Sequence, residues 1–280
     1  MAPALHAFEV RGGVAVLTFP SLAGHPVEVV VTTREGGVST GPYAELNLAL
    51  HVGDDPAAVV ANRERAAATI GLSLDDLVFA HQVHGRGVAV VGASDRGRGA
   101  RQWEGAVEGT DALVTREPGV GLALLVADCA PIVLYDPVGC AAAGVHAGWR
   151  GAVAGVAAEA VEALVTGGSR REDILAVQGP AVPADRYQVG EDVVTAAGEA
   201  FGSSVRDVLR PDGTGRWTFD VWGANEAVLL SAGLRPEHVA TARLPTFGSR
   251  QFFSDRAERP CGRFALMVAL QVASDHGAGV

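Results

Sequence analysis

Leu122-Ala123-Leu124-Leu125-Val126-Ala127-Asp128-Cys129-Ala130-Pro131-Ile132-Val133-Leu134-Tyr135 holds two short apolar runs separated by a turn-forming Asp-Cys-Ala-Pro step. Runs this short, bounded by turn residues, read as buried strands. A parallel pair needs a crossover of about a dozen residues or more, and the step between these runs is far shorter. The same brevity recurs between other strand candidates, with helical patterns falling irregularly among them. The fold class predicted is therefore α+β with mixed sheets rather than a doubly wound parallel sheet.

Beyond this pair, residues 140–145 read as a further strand that ends at His146. Gly148-Trp149-Arg150-Gly151 then turns the chain into a helix over 151–165, with Val153, Val156, Val161 and Leu164 on its packing face and Gly167-Gly168 as its stop. Before the pair, Val78-Phe79-Ala80 leads into His81-Gln82-Val83-His84-Gly85, and the Gly-rich, charged residues 94–109 read as a mobile surface loop. Asp55-Pro56 opens a helix to about residue 70 that carries Asn62 and Arg63, because Asp suits the N-cap, Pro the first helical position and Gly71 the stop. Strands are predicted at 14–19, 27–32, 174–178, 238–243 and 263–270, and helices near 190–201 and 220–232. No repeat or low-complexity linker interrupts the pattern, so residues 1–280 are read as one domain.

Apolar residues make up 48% of the chain, enough for a sizeable core. A net charge of -10 and scattered Lys and Arg residues give no basic footprint for a nucleic-acid backbone. The first residues lack a charged segment followed by an apolar one, and no run approaches the roughly 18 apolar residues of a membrane span. A soluble, cytoplasmic protein without membrane or nucleic-acid partners is expected. Cys129, Cys140 and Cys261 form no close pair of the disulfide-scaffold or zinc-ribbon kind, and reduced thiols are expected.

His84, Cys129 and His146 are residues of ligand or nucleophile type set in compact Gly- or Asp-bearing segments. One thiolate and two imidazoles make three donors, the number that catalytic zinc sites draw from protein while leaving a fourth position open. Their wide separation matches no zinc-finger spacing, so the fold must assemble such a site from strand ends and loops. Two readings stand side by side at this point: a three-donor metal site, or a packed core thiol with hydrogen-bonded rim histidines. An offset of three on an extended segment puts His81 and His84 on opposite faces. His84, next to Gly85 where the backbone can bend away, is the predicted ligand, and His81 a supporting or surface group. Arg150, at a glycine-flanked turn into a helix, is a candidate phosphate clamp, with a salt bridge in a Gly-rich turn as the alternative. In the Gly-rich stretch 34–48 the glycines either only make turns or present Arg34, Tyr43 and Asn47 to a polar ligand; Gln82 is a further candidate ligand-binding residue. The tail, Phe252-Phe253-Ser254-Asp255-Arg256 with Gly262-Arg263, reads as an aromatic wall with cations or as an edge strand with solvated charges.

Residues 34–48, Asn62-Arg63, Gln82-Val83-His84-Gly85, Asp111-Ala112-Leu113-Val114-Thr115, Ala127-Asp128-Cys129-Ala130-Pro131, 146–151, Gly179-Pro180-Ala181 with Tyr187-Gln188-Val189-Gly190, and the 252–263 tail together resemble the multicopper polyphenol oxidase or laccase-domain family over nearly the whole chain. Members of that family act as purine nucleoside phosphorylases. The resemblance implies a layered α-β-β-α sandwich, similar to the cytotoxic necrotising factor catalytic domain, and a monomer. It also implies that His84, Cys129 and His146 are the metal-binding and catalytic residues, with zinc the usual metal and copper also associated. Purine nucleosides and phosphate are the implied partners. In that reaction phosphate attacks the ribose of adenosine, inosine or methylthioadenosine, with Arg150 on phosphate, Asn47 and Gln82 on ribose and the trio at the departing base. Adenosine deamination fits the same site. Leu244-Pro245-Thr246 stands where members usually carry Cys-Thr, and Asp255 where an aromatic is common. Four-copper chemistry is not expected, because it needs about ten histidines, many in His-x-His pairs; this chain has 8 histidines and no such pair. Three further readings accompany phosphorolysis: an amide hydrolase with Cys129 as a nucleophile activated by His146 or His84, a single-site copper-dependent polyphenol oxidase, and a metal-sequestering or partner-binding module without turnover.

Overall fold

The two apolar runs form the strands Gly121–Val126 and Ala130–Asp136, and every residue of both is buried. A strand is buried along its whole length only when both faces of its sheet are covered. The computed structural model, which describes residues 4–213 and 215–271, shows how this is arranged. The short step between the runs makes no hairpin; it carries the chain from one six-stranded sheet into another. In the first sheet the spatial order is Ala7–Arg11, Val14–Thr18, Val27–Thr32, Phe264–Leu270, Gly121–Val126, Leu77–Phe79, antiparallel except for the last pair. In the second it is Val239–Thr241, Leu175–Gln178, Ala130–Asp136, Ala141–Ala147, Ala112–Thr115, Val88–Val90, with parallel pairs at both edges and antiparallel pairs between. The sheets are mixed, as the α+β reading expects.

Alternation along each strand sorts its side chains into layers. Leu124 faces the second sheet, where with Leu266 it meets Leu113, Val133 and Tyr135. Its neighbours Ala123 and Leu125 face the other way, onto Ala66 and Ala67 of the helix Pro56–Ala68. On the second sheet, Ile132 and Leu134 point outward onto Val161 and Leu164 of the helix Val156–Thr166 and Leu229 of the helix Val221–Ser231. Three apolar layers thus separate helix, sheet, sheet and helix, the α-β-β-α sandwich implied by the resemblance. Helices of 11 residues are marginal alone in water, whereas each buried Leu or Val contributes about 1.5–3 kcal/mol. Packing on the sheets, more than propensity, therefore holds these helices.

Several local expectations need correction. The helix expected over 151–165 is two helices, Trp149–Ala154 and Val156–Thr166, because Gly155 adopts a left-handed φ of 79° between them. Residues 94–109 are not a loose surface loop: Ala100, Ala106 and Val107 are buried, and Phe79 N–H donates to the Arg98 carbonyl. Arg63 explains this packing. Its guanidinium is fully buried, lies 4.0 Å from the Phe79 ring centroid, and donates to the carbonyls of Leu48, Gly99 and Ala100. The small sheet of Gln188–Val189, Trp217–Phe219 and Leu209–Pro211, unforeseen in the sequence, packs with the helices Trp149–Ala154 and Glu191–Phe201. No helix among the described residues is long and apolar enough to cross a membrane.

The strand Ala141–Ala147 is built almost entirely of small residues because the first sheet passes close above it. A Cβ on Gly144 would lie 2.5 Å from Leu124 Cδ1. Overfilling a packed core costs about 1–3 kcal/mol. Gly144→Ala is accordingly expected to lower stability by that amount, read as a lower urea midpoint at unchanged m-value; an unchanged midpoint would contradict this close packing.

Candidate metal and active site

Three segments distant in sequence deliver their side chains to one edge of the sandwich. Leu77–Phe79 and Gly121–Val126 run parallel, so the chain leaves both at the same edge, towards His84 and Cys129 respectively. His146 lies near the end of Ala141–Ala147. The ligand-type atoms of His84, Cys129 and His146 all lie within 4.8 Å of one another. The two imidazole rings meet edge to face with centroids 4.8 Å apart. His146 is buried, Cys129 half-buried and His84 exposed, so the cluster faces outward through His84.

Two buried carboxylates, Asp111 and Asp128, impose this geometry, and the sequence assigns a role to neither. Asp111, fully buried at the start of the strand Ala112–Thr115, accepts the backbone N–H of Val83, His84 and Gly85 at 3.3, 3.0 and 2.7 Å. It also accepts His146 Nδ1 at 2.9 Å, which leaves His146 Nε2 for the cluster. Curling three successive N–H groups around one carboxylate places His84 in the left-handed region, at φ 59°. The separation of His81 from the trio, expected from strand alternation, thus arises differently: the segment is a tight turn. Asp128, at φ 91°, fixes the Cys129 turn by accepting from Thr246 Oγ1 at 2.6 Å, Ser254 Oγ at 2.7 Å and Arg256 N–H at 2.7 Å. A lone Asp opening or closing an apolar strand is the signal that marks both in the sequence.

Burial pushes the Cys129 thiol up, but the His146 charge and hydrogen bonds from His146 and His84 outweigh it and bring the thiol down to about 6. Burial alone would lower His146; the neighbouring Cys129 sulfur and the Asp111 carboxylate raise it to about 9. Each charge thus stabilises the other, so that without a metal the pair is shifted toward thiolate and imidazolium. Burial raises Asp111 as well, and its bonds to His146 and the 83–85 backbone win, holding it below the usual carboxylate value.

The residues present fit a metal ion. One sulfur and two imidazole nitrogens form a donor set suited to zinc or copper. A Cβ on Gly148 would sit 2.5 Å from Cys129 Sγ and 3.7 Å from His84 Cδ2, so this glycine keeps the space beside the sulfur clear. Among the described residues this is the one group of three or more His, Cys, Asp or Glu residues arranged to hold a metal.

The trio opens into a cavity of about 1100 Å³. Gln82 and Arg150 line it. Gln82, however, turns its amide to the Leu125 N–H and carbonyl, both at 2.8 Å. Arg150 is exposed, its guanidinium 4.5 Å from the Trp149 ring centroid. Arg34 and Asn47 do not reach the cavity wall. Asn47 is fully buried, holding Arg263 N–H and Asp54, and Arg34 is held by the Ala44 carbonyl and Glu258. Both act behind residues that do line the cavity, Arg263 and Glu258. Phe252 and Phe253 are core residues rather than an aromatic wall, whereas Arg256 and Arg263 do face the cavity.

A Cys-His-His cluster at the edge of an α-β-β-α sandwich, braced by two buried aspartates, is the class of site present. The chain belongs to the family described as multi-copper polyphenol oxidoreductase laccase, which matches residues 28–271. It is 43% identical over 234 residues to purine nucleoside phosphorylase ORF3 of Streptomyces griseus, covering 84% of this chain and 90% of that one. It is 37% identical over 217 residues to adenosine deaminase RL5 from an unknown prokaryotic organism, covering 78% and 83%. The crystal structure of YlmD from Geobacillus stearothermophilus superposes with a TM-score of 0.90 at 35% identity, covering 96% of this chain and all of that one.

Two outcomes are expected. Asp111→Asn replaces acceptor oxygen with N–H opposite backbone donors; with hydrogen bonds to charged groups contributing about 1.5–3 kcal/mol each, a loss of roughly 2–4 kcal/mol in urea unfolding should follow. In chelator-treated protein, the depressed thiol leaves Cys129 as thiolate above pH about 6. Its alkylation by iodoacetamide, followed by peptide mass spectrometry, should therefore stay fast at pH 7 and fall as pH drops through about 6; a rate already down to a few per cent of its plateau by pH 7, as for an ordinary thiol near 8.5, would contradict the pairing.

Proposed function

We propose that this chain is a metal-dependent purine nucleoside phosphorylase, a cytoplasmic monomer that uses phosphate to split adenosine, inosine and methylthioadenosine into free base and ribose 1-phosphate. The observation that carries the reading is the Cys129, His84 and His146 cluster open to a cavity that Arg150, Arg256 and Arg263 also line. The family and the names of the relatives support it. His84, Cys129 and His146 would hold the metal, zinc or alternatively copper, which when bound supplies a Lewis acid for a departing base or a bound water. Arg150 is proposed as the phosphate residue: it has no carboxylate within ion-pair distance among the described residues, leaving its guanidinium for an anion. Asp111 holds His146 in one orientation, and Gln82 anchors the His84 turn to Leu125, with its remaining N–H and lone pair toward the ribose. The likeness to an adenosine deaminase supports deamination as a second activity of the same site.

One geometric observation favours a second reading. Asp111, His146 and Cys129 are linked as orienting acid, base and thiol, the arrangement of a cysteine-nucleophile hydrolase acting on amides. Chelation separates the two, since a bound metal occupies the sulfur.

The test is incubation of purified protein with inosine and with adenosine, with and without phosphate. Ribose 1-phosphate should form only with phosphate, and Cys129→Ala and chelation should each abolish it; base release no greater than that of Cys129→Ala would reject phosphorolysis. Arg150→Ala should raise the KM for phosphate about 10–100-fold, the value of a charge-assisted bond, leaving the KM for nucleoside within about threefold. Amidase activity surviving chelation, with Cys129 alkylation blocking it, would establish the hydrolase instead. Metal analysis should return about one ion per chain; several coppers with four-electron oxygen reduction would overturn the single-site reading.

A further inference from the structure

On the same cavity wall stand three flat rings that the metal cluster does not use. Trp103 comes from the short helical turn Trp103–Gly105, His51 from the segment before Asp55, and His81 from the chain beyond Leu77–Phe79. The His51 and Trp103 rings lie 4.3 Å apart between centroids, tilted by 41°. His81 meets Trp103 edge to face at 4.9 Å and 65°. Glu108, from the same loop as Trp103, lies 2.7 Å from His81 Nδ1. With Nδ1 engaged by that carboxylate, Nε2 of His81 has no hydrogen-bond partner among the described residues.

A cluster of this kind is unusual as mere packing. Aromatic rings stabilise a fold by leaving water, yet His51 is exposed and Trp103 and His81 are only half-buried. Their uncovered surface faces a cavity, where an aromatic wall with a few placed polar atoms is the general signature of ligand recognition. The loop that carries Trp103 and Glu108 is held firmly: Arg63 clasps Gly99 and Ala100, and Ala106 is buried beside them.

We propose that Trp103, His51 and His81 form the seat of the heteroaromatic base, with the base stacked on the ring cluster and its polar edge met by His81 Nε2. Glu108 is a positioning residue that fixes the His81 ring. The inference rests on the nucleoside reading of the site and adds to it which wall takes the base and which loop sets base specificity. A purine suits this wall because its two faces are π surfaces and its edge carries donors and acceptors. Stacking of one base on an aromatic side chain corresponds to about a 10–100-fold change in affinity on truncation.

Equilibrium binding of adenine and inosine, measured without phosphate by calorimetry and by tryptophan fluorescence, tests this apart from turnover. Trp103→Ala should weaken both ligands about 10–100-fold, and raise the nucleoside KM comparably with kcat changed less than about threefold and the phosphate KM unmoved. Trp103→Phe keeps a stacking ring but removes one of the two tryptophans that line the cavity, leaving Trp149 as the other. It should retain affinity within about threefold by calorimetry, with less ligand-induced quenching than the parent protein gives, the remainder coming from Trp149. Glu108→Gln, at an exposed position, should weaken inosine binding and leave the melting temperature within about two degrees. Equal affinity of the parent protein and a folded Trp103→Ala, or quenching undiminished in Trp103→Phe relative to the parent, overturns the base seat and leaves phosphorolysis standing. Base binding that follows these expectations in a protein without phosphorolysis sinks the reaction and keeps the seat. A parent protein that neither binds nor cleaves purines overturns both.

Discussion

The Asp111 carboxylate is the constraint on which the rest of the site depends. It lies where water does not reach, and a buried charge without partners costs several kcal/mol. Four N–H groups remove that cost: three successive backbone donors of the 83–85 turn and the Nδ1 of His146. The same bonds fix the direction of two of the three cluster side chains. His84 is thrown outward by the left-handed turn, and His146 is left with a single free nitrogen facing Cys129. Electrostatics then follows from geometry, because a cationic His146 beside Asp111 brings the Cys129 thiol into the thiolate range.

Asp128 does for the third side chain what Asp111 does for the other two. The chain passes from one sheet to the other at Asp128-Cys129, and the Asp128 carboxylate ties this crossing to Thr246, Ser254 and the Arg256 N–H. The tail that supplies Arg256 and Arg263 to the cavity is thereby anchored beside Cys129. One floor of the cavity is the rigid sandwich edge. Its other sides come from the small sheet around Tyr187–Val189, the tail, and the loop bearing Trp103. The three cluster side chains stand on or just beyond strand ends, and the other cavity-lining groups stand on segments pinned to them by single side chains such as Arg63, Asn47 and Asp128.

Much of this was legible from residue patterns. The helix starting at Asp55-Pro56 runs Pro56–Ala68 with Asp55 as its cap, and the strands expected at 27–32 and 263–270 are Val27–Thr32 and Phe264–Leu270. Strong periodicity and capping chemistry are local, so sequence carries them. The strand Ala7–Arg11 was missed because its mostly exposed residues show no buried face to alternate against. The break at Gly155 was missed because Ala and Val on both sides continue a helical stripe. Arg34 and Asn47 were read as ligand residues on the strength of polarity in a Gly-rich stretch. Their side chains are instead spent on backbone and carboxylate partners far along the chain.

The sequence by itself determined the class of fold, through short apolar runs joined too briefly for crossovers, and the chemical types available for a site: one thiol and two imidazoles set among Gly and Asp. What only the tertiary structure decided is that these three meet, that Asp111 and Asp128 aim them, and that Trp103, His51 and His81 share their cavity. The reason is physical. Helix and strand patterns repeat within a few residues and are written locally, whereas a cluster drawn from strand ends of two sheets depends on sheet order, register and a handful of long-range hydrogen bonds, none of which has a local signature.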